Sequence, residues 1–342
     1  MSYFGIPIRN GLPVGLGSII PLLSGGRSAP SLSLNFLSGS LDSRVTFTRA
    51  STGTYFDSAG VLQTAAINTP RFDYNPSTLA AQGLLIEEAR TNLVLNSATL
   101  ATQSVTVTAV AHTLSFYGTG TVVLSGAFVG TLVGSGAFPT RSTLTFTPTA
   151  GTLTLTVTGS VTQAQLETGA FATSYIPTTS AAATRAADLA AINTLSPWYN
   201  ATEGTLFAQF KAVGATLATQ QGIWGLDDGT TNNVIYGARA ATTNRFRYNS
   251  RSGGVVDVDG QITTPVITDG AVAKTVVAIA TNNYNFALDG SAGTADTSAV
   301  VPTVNRLTLG NYIFSGSING YLQRITYYPR RLTNAELRTL TA

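Results

Sequence analysis

Between residues 96 and 185, hydroxyl and apolar side chains alternate with a period of two. The runs SVTVTAV, STLTFTPT and GTLTLTVTG have Thr or Ser at every second position, mostly with Val, Leu or Phe between them. In an extended strand successive side chains point to opposite faces, so these runs predict strands with one solvated and one buried face. Such runs recur at intervals of about 8–12 residues, which indicates a compact β-sandwich.

The rest of the chain is also rich in short β-branched runs and turns, so we predict an all-β protein. At ~100–200 residues per domain, 342 residues indicate several units. Residues 178–191, TTSAAATRAADLAA, have the small-residue composition of a linker. We expect an extended arm, a small β module, a β-sandwich and a second sandwich, over residues 1–28, 29–95, 96–185 and 192–342.

The C-terminal block contains at least eight candidate strands, among them GTLFAQFKA, NNVIYGARA, KTVVAIAT and GYLQRITYYP. Asp289-Gly290 predicts a hairpin turn, because both residues tolerate a positive φ. Thr333 and Glu336 have the spacing of a capping box, which predicts one short helix at the end of this block.

The first 28 residues are apolar, but they do not have the pattern of a membrane span. Pro7, Pro13, Pro21 and Arg9 interrupt the segment, and no run of ~20 apolar residues remains. No basic region precedes the apolar part, which argues against a signal peptide. An apolar segment of this kind requires a covering partner, so we expect a docking arm; a disordered leader is the alternative.

The composition excludes several classes of function. The chain has no cysteine and one histidine, which removes disulfides, zinc fingers, iron–sulfur centres and thiol nucleophiles. Its 19 basic and 16 acidic residues are too dilute for binding to nucleic acid. All basic residues except Lys211 and Lys274 are arginine, which favours paired, partly buried interfaces. Nothing in the sequence indicates a cofactor.

The segment GLLIEEARTNL brings Glu87, Glu88 and Arg90 together in a chain with few charges. Neighbouring glutamates face apart on a strand and do not share a face on a helix, so they are not a catalytic pair. A glycosidase would need a second carboxyl roughly 5–9.5 Å away across one sugar site. We therefore predict that Glu87, Glu88 and Arg90 have a structural role, as an ion pair or as anchors of the backbone.

Two other groups are candidates for chemistry. His112 is the only possible imidazole base, but it lies in the alternating run AVAHTLSF, where we expect an outward-facing strand residue. Asp227 and Asp228 in GLDDGTTNN could contribute to an oxygen-only calcium site. The segment lacks the ligand spacing of a recognisable calcium motif, so a solvated turn is preferred and no metal is predicted.

Aromatic and amide side chains together favour sugar binding, because sugars present apolar C–H faces and hydroxyl groups. The segment IWGLDDGTTNNVIYGARA and the strand after it contain such a set. The alternative is that Trp224 and Tyr236 fill the sandwich core. Trp198 and Tyr199 in SPWYN are a second candidate, which could equally pack at the sandwich edge. The candidate carbohydrate-binding residues are Trp224, Asp228, Asn232, Asn233, Tyr236, Arg239 and Arg245.

Several segments resemble known virion proteins. TFTRASTGTYFDSAGVLQTAAINTPRFDY followed by GLLIEEARTNLVLNS resembles a module of bacteriophage tail-fibre and other virion-surface proteins. QLETGAFATSYIPTT resembles the closing strand of carbohydrate-binding-module-like jelly rolls, and GSINGYLQRITYYPRRLTNAEL resembles the end of a laminin-G-like (concanavalin A-like) jelly roll. The resemblance implies these folds for the two sandwiches, a structural role for the EEAR motif, and a homotrimer.

From these features we expect a non-enzymatic bacteriophage protein on the virion surface, of the fibre or spike type. Residues 1–28 would bind other virion proteins, and the C-terminal sandwich would attach to a host surface glycan. The alternative is a capsid or tail decoration protein that cements the particle and binds no host sugar, since a fold does not fix a function. An enzyme that degrades surface polysaccharide is the third hypothesis, and it requires a cleft with two facing carboxylates.

Overall fold

A computed structural model describes residues 29–214, 219–314 and 316–342. The expected docking arm, residues 1–28, lies outside the described residues. The strands of the first half are β1 Leu32–Asn35, β2 Thr46–Thr48, β3 Gly53–Phe56, β4 Leu62–Ala65, β5 Phe72–Tyr74, β6 Ala81–Ile86, β7 Arg90–Asn92, β8 Gln103–Val107, β9 His112–Gly118, β10 Thr121–Gly126, β11 Gly130–Val133, β12 Gly136–Phe146, β13 Gly151–Thr158 and β14 Thr162–Thr168.

The strands of the second half are β15 Ala183–Arg185, β16 Leu189–Ile192, β17 Glu203–Ala212, β18 Gln221–Asp227, β19 Val234–Arg239, β20 Phe246–Ser252, β21 Val255–Gln261, β22 Val272–Ala280, β23 Asn285–Leu288, β24 Ser291–Ala292, β25 Arg306–Leu309 and β26 Gly320–Tyr328. A 3-10 turn covers Phe36–Ser38, and one α-helix, α1, covers Asn334–Thr341. The all-β prediction is confirmed. No helix among the described residues is long and apolar enough to span a membrane.

Two sheets form a large sandwich. One has the order β24-β23-β22-β17-β26-β6-β5, with β1 also paired to β26, and the other has the order β2-β16-β25-β18-β19-β20-β21. Alternate residues of these strands point into a single apolar core, which contains the fully buried Trp224, Phe246 and Tyr327. Most strands of the predicted C-terminal sandwich contribute side chains to this core.

Residues 29–95 do not form a module with a core of its own, which corrects the expected division of the chain. β1, β5 and β6 belong to one sheet of the large sandwich and β2 belongs to the other. Leu34 pairs with Ile325, and Leu84 with Leu322, so these N-terminal strands are completed by β26, about 240–290 residues later in the chain. Local sequence patterns predict strands but do not indicate which distant strand each one pairs with.

The predicted middle sandwich is inserted into the large one. Its sheets have the orders β11-β10-β13-β8 and β12-β9-β14, and they enclose a separate apolar core. The chain enters and leaves the insertion through the two-stranded ladder β7–β15, in which Asn92 pairs with Ala183 and Arg90 with Arg185. The insertion is thus tied to the large sandwich by two adjacent strands.

Residues 178–191, predicted as a linker, form ordered structure instead. This segment contains β15 and the first residues of β16, and both Arg185 and Asp188 are buried within it. Only one of its alanines, Ala190, is buried, so the order of the segment comes from its strand pairing and its buried charged residues rather than from its small side chains.

The local predictions for the C-terminal block hold. Asp289 and Gly290 both have positive φ values, 43° and 80°, in the turn between β23 and β24. Thr333 caps α1: its hydroxyl accepts from the Glu336 backbone N–H, and the Glu336 side chain accepts from the Thr333 backbone N–H. These features depend on residues close in sequence, which is why the sequence predicts them.

Candidate functional site

The structure separates the predicted sugar-binding aromatics. Trp224 is fully buried in the core of the large sandwich, so it cannot stack on a ligand. Tyr236 points to the opposite face, where its ring lies 4.7 Å from that of Tyr312. It is 4% exposed, because Tyr312 and Phe314 cover it. For both residues, packing against other apolar side chains replaces the predicted sugar contact.

The predicted polar partners lie at opposite ends of β19. Asp228 and Asn233 form a turn before the strand, where Asn233 Nδ2 donates to Asp228 Oδ2 at 2.8 Å, and Asn232 is exposed beside them. Arg239 and Arg245 follow at the other end, about 20 Å away for six residues of strand at ~3.3 Å each. The seven side chains that the sequence predicts to bind a sugar therefore do not converge on one site.

Arg239, Asp227 and His112 are buried rather than available to ligands. Arg239 donates from Nη1 to Gln221 Oε1 at 3.3 Å. Asp227 pairs with Arg306 Nε at 2.5 Å, and no group of three or more metal-ligating side chains occurs among the described residues. His112 is 1% exposed, with Nδ1 2.8 Å from the Val110 carbonyl, so the expected outward orientation is wrong.

Trp198 and Tyr199, the second aromatic candidate, pack against the large sandwich. The Trp198 ring meets that of Tyr327 edge-on at 5.2 Å, and Trp198 is 3% exposed. Burial raises the pKa of Tyr199 to about 12. These rings cover one end of the core. Trp198 and Tyr199 thus pack at the sandwich edge, which was the alternative to sugar binding.

The EEAR motif lies in a buried ionic junction between the two sandwiches. Its first centre is Asp188, whose Oδ1 pairs with Arg49 Nη1 at 3.1 Å and whose Oδ2 pairs with Arg71 Nη2 at 2.5 Å. The Glu87 backbone N–H donates to the same Oδ2 at 2.9 Å. All three of these side chains are fully excluded from solvent, so the pairs are not screened by water or salt.

Glu87 is the second centre of the ionic junction. Its Oε2 pairs with Arg71 Nη2 at 2.8 Å and Arg185 Nη1 at 3.0 Å. Ser174 adds two donors, its backbone N–H to Oε1 and its hydroxyl to Oε2, both at 2.7 Å. Burial disfavours the charged carboxylate, but Arg185 and Arg71 outweigh this penalty and lower the pKa of Glu87 to about 2. Glu87 is therefore a permanent anion that holds three segments together.

Glu88 and Arg90 form a separate ion pair, directly beside the junction. The Arg90 guanidinium lies 5.0 Å from the centre of the Phe171 ring in the inserted sandwich. The motif thus contains one local pair, whereas Glu87 pairs with the distant Arg71 and Arg185 instead of Arg90. Adjacent side chains of extended backbone point apart, which explains this division.

A cleft of about 160 Å3 opens beside the junction, between the β3–β4 hairpin, the inserted sandwich and the start of β26. This is the junction cleft. It combines aromatic rings with hydrogen-bonding groups at an interface between structural units, where ligand sites often occur. Its volume is below the ~300 Å3 of drug-sized pockets, so it has room for one small ring. The aromatic and polar side chains that line it include Tyr55, Phe56, Asp73, Tyr117, Arg141, Phe171, Thr173, Ser174, Asn319 and Tyr321.

Asp73 is the buried acid of the junction cleft. Its Oδ1 accepts from the Phe56 backbone N–H at 2.6 Å, and its Oδ2 accepts from the Tyr321 hydroxyl at 2.8 Å. Burial raises the pKa of Asp73 to about 6, although these two hydrogen bonds favour the anion. Asp73 therefore orients Tyr321 towards the cleft.

The cleft contains two carboxyls, Asp73 and Glu87, with pKa values shifted in opposite directions, as in many hydrolases. Their contacts do not suit that chemistry. Both oxygens of Glu87 are occupied by arginine and Ser174, and both oxygens of Asp73 accept hydrogen bonds from the protein. A nucleophile or base needs a free lone pair directed at the substrate. The geometry favours binding over catalysis.

Arg141 forms the polar wall opposite Asp73. Its Nη1 donates to the Thr173 carbonyl at 2.6 Å and its Nη2 to Ser115 Oγ at 2.7 Å, while its guanidinium lies 6.0 Å from the centre of the Tyr117 ring. These bonds fix the guanidinium next to an aromatic ring. Sequence reasoning missed the cleft because its side chains come from segments far apart; the only local signal was an acid between two aromatic residues in the segment FDY.

Comparisons with known proteins found solved structures that are similar to this chain at low sequence identity. No family model and no curated protein matches the chain. The chain is similar to the CBM40 of Ruminococcus gnavus IT-sialidase bound to α2,3 sialyllactose, at 12% identity over 42% of this chain and 84% of that one, with a TM-score of 0.35. It is also similar to Trypanosoma rangeli sialidase, at 15% identity over 44% of this chain and 25% of that one, with a TM-score of 0.34.

The native heptameric SAP-like pentraxin of Limulus polyphemus matches a larger part, at 8% identity over 75% of this chain and 82% of that one, with a TM-score of 0.32. TM-scores this low support no argument about function, so the functional argument depends on the side chains of this chain.

Proposed function

We propose that this protein is a non-enzymatic bacteriophage virion-surface protein of the fibre or spike type, which binds a host surface glycan in the junction cleft. The observation that carries the glycan site is the meeting of aromatic rings, the fixed Arg141 guanidinium and the Asp73–Tyr321 pair in one small cleft. Rings can stack on the C–H face of a sugar while the polar groups bind its hydroxyls.

The virion role has separate support. The segments that resemble phage virion-surface modules contain Arg49, Arg71 and Glu87, all members of the buried ionic junction. The resemblance therefore concerns residues that lock two sandwiches into one unit. A rigid unit of this kind suits a protein that transmits load between a particle and a cell surface.

In this proposal residues 1–28 attach the chain to other virion proteins, and copies of the chain self-associate, with a homotrimer as the expected form. The alternative is a decoration protein that uses the same rigid unit to cement a capsid or tail. Labelling of intact particles with an antibody to this chain distinguishes tail and fibre positions from the capsid lattice.

Glycan binding is tested on an array of host surface glycans with the full chain and two variants. Tyr55→Ala removes a partly buried aromatic residue that lines the cleft, and we expect at least a tenfold loss of affinity for any glycan bound. Asn233→Ala, in the turn before β19, is the control and should bind as wild type. Equal binding by Tyr55→Ala, or loss in the Asn233 variant alone, would refute the cleft as the site; turnover of a glycan would refute the non-enzymatic role.

A further inference from the structure

A second cleft lies beside the junction cleft, along the seam between the inserted and the large sandwich. Its volume is about 580 Å3, and the residues that line it come from the β7–β15 ladder, the end of β14 and the start of β18. Phe171 and Asn319 line both clefts, so the two clefts adjoin at these side chains. A ligand that extends out of the junction cleft past Phe171 therefore enters the second cleft.

The side chains at the boundary of the two clefts are held in place. Asn319 Oδ1 accepts from the Glu88 backbone N–H at 2.8 Å, and Asn319 Nδ2 donates to the Ser317 carbonyl at 3.4 Å. The Phe171 ring packs on the Arg90 guanidinium, which in turn pairs with the Glu88 carboxylate. The boundary is thus preformed, so a ligand that spans it does not have to order these side chains.

The walls of the second cleft suit an uncharged polar ligand. Among the described residues that line it, Glu88 and Arg90 are the only charged ones, and they pair with each other. An ionised ligand would lose hydration there without gaining a free counter-charge. The hydroxyls of Thr91 and Thr184 share an exposed hydrogen bond of 2.8 Å, and each hydroxyl can form further bonds to the hydroxyls of a ligand.

The second cleft is several times larger than the junction cleft. Its volume of about 580 Å3 lies within the ~300–1,000 Å3 range of ligand pockets, whereas the junction cleft, at about 160 Å3, accepts one small ring. The second cleft therefore has room for at least two more rings of that size.

We propose that the glycan of the junction cleft is an oligosaccharide chain whose next, uncharged units lie in the second cleft. The inference rests on the glycan binding in the proposed function, and it adds a minimum length of about three sugar units. The occupant of the second cleft is the continuation of the same molecule, because the two clefts adjoin at Phe171 and Asn319. The Phe171 ring lies where the first and second units are linked, and it can pack against the C–H groups of either unit.

The first test is calorimetric titration of the full chain with glycan fragments of increasing length. The fragments contain one to six sugar units and are cut from whichever array glycan the wild-type chain binds. We expect Kd to fall at least tenfold between one and three units, and to change little once both clefts are filled. Equal affinity for one and three units would overturn the inference and leave the junction cleft as a single-sugar site.

Two further outcomes of this titration are decisive. A gain in affinity that requires carboxylated units beyond the first would overturn the assignment of uncharged units to the second cleft. Absence of binding by every glycan of the array would refute the proposed function, and the inference with it.

A second test blocks the second cleft and leaves the junction cleft open. The chain has no cysteine, so Thr168→Cys introduces a unique thiol at the exposed end of β14, which lines the second cleft and not the junction cleft. A bulky maleimide on this thiol should abolish the gain in affinity with length, while one sugar unit binds as before. Labelled Thr106→Cys, at an exposed threonine of β8 outside both clefts, is the matched control and should keep the gain. Retention of the gain in the labelled Thr168 variant, or its loss in both variants, would overturn the inference.

Discussion

The ionic junction and the inserted sandwich use charge in opposite ways. At the junction, three arginines and two carboxylates are buried together, and each carboxylate pairs with two of the arginines, at distances of 2.5–3.1 Å. The solvent face of the sheet β11-β10-β13-β8, a short distance along the chain, consists of Thr, Ser and Val side chains and carries no charge. In this chain, therefore, several of the few charges hold units together from inside, and the surface of the insertion is left to hydroxyl and methyl groups.

The two regions are also stabilised by different interactions. The inserted sandwich depends on alternation, which buries Leu and Val residues whose identity is exchangeable within limits. The junction depends on particular partners, because removal of one charge leaves others buried without compensation. Substitutions at the junction should accordingly cost far more stability than those on the solvent face of the sheet β11-β10-β13-β8.

The largest effect is expected for Asp188→Asn. The substitution keeps the shape of the side chain but leaves Arg49 and Arg71 with one anion fewer in a site without solvent. We expect a loss of about 3–5 kcal/mol in the free energy of unfolding, measured with guanidinium chloride. Asp42→Asn breaks the partly exposed Asp42–Arg44 pair and is the control, with a loss of at most about 1 kcal/mol. Similar losses in both variants would show that the buried ion pairs of the junction stabilise the fold no more than an exposed ion pair does.

Asp73 should produce a pH dependence of about 3 kcal/mol. Its pKa is raised to about 6 in the folded protein from an ordinary value of 3.8, so the folded state holds the proton more tightly. Its contribution to stability is therefore fully present below about pH 4 and is lost as pH rises to about 6, at ~1.4 kcal/mol per pKa unit.

Asp73→Asn should remove that slope, because its amide can accept from Phe56 and donate to the Tyr321 oxygen. Thermal melting of both proteins between pH 4 and 7 measures the difference. Parallel curves for wild type and the Asn variant would mean that Asp73 does not titrate in this range.

Gly169→Ala tests the contact between the insertion and Arg90. A Cβ at Gly169, where φ is +128°, would overlap the Arg90 guanidinium and separate it from Glu88. Gly151→Ala is a matched control, with φ at +146° and no atom within 4 Å of its added Cβ. We expect a loss of about 2–3 kcal/mol for Gly169→Ala and about 1 kcal/mol for the control, by urea unfolding. Equal losses of stability in the two variants would mean that backbone strain at the glycine, and not the contact with Arg90, causes the destabilisation.

The smallest effect is expected for Thr154→Val, on β13 at the solvent face of the inserted sandwich. The Thr154 hydroxyl shares an exposed hydrogen bond with Ser104 Oγ, at 2.9 Å. Exposed substitutions of this kind change stability by about 0.5 kcal/mol or less. A loss above about 2 kcal/mol in chemical unfolding would contradict the contrast between the two regions.

The sequence predicted the features that depend on near neighbours. The alternation of Thr with Leu and Val placed β13, and the same pattern placed the neighbouring strands of the insertion. It did not predict the orientation of Trp224 and Tyr236, because inward and outward positions differ only by strand register, and register depends on the partner strand. The junction cleft was missed for the same reason.

What the sequence alone determined is an all-β chain with its turns, its terminal helix cap and a charge-poor middle segment, since these follow from residues a few positions apart. The tertiary structure decided that the middle sandwich is an insertion and that Glu87 pairs with Arg71 and Arg185. It also brought Arg49 to Asp188 across 139 positions of sequence. Such pairings follow from how the whole chain closes, and burial then makes the ion pairs strong, which no local pattern specifies.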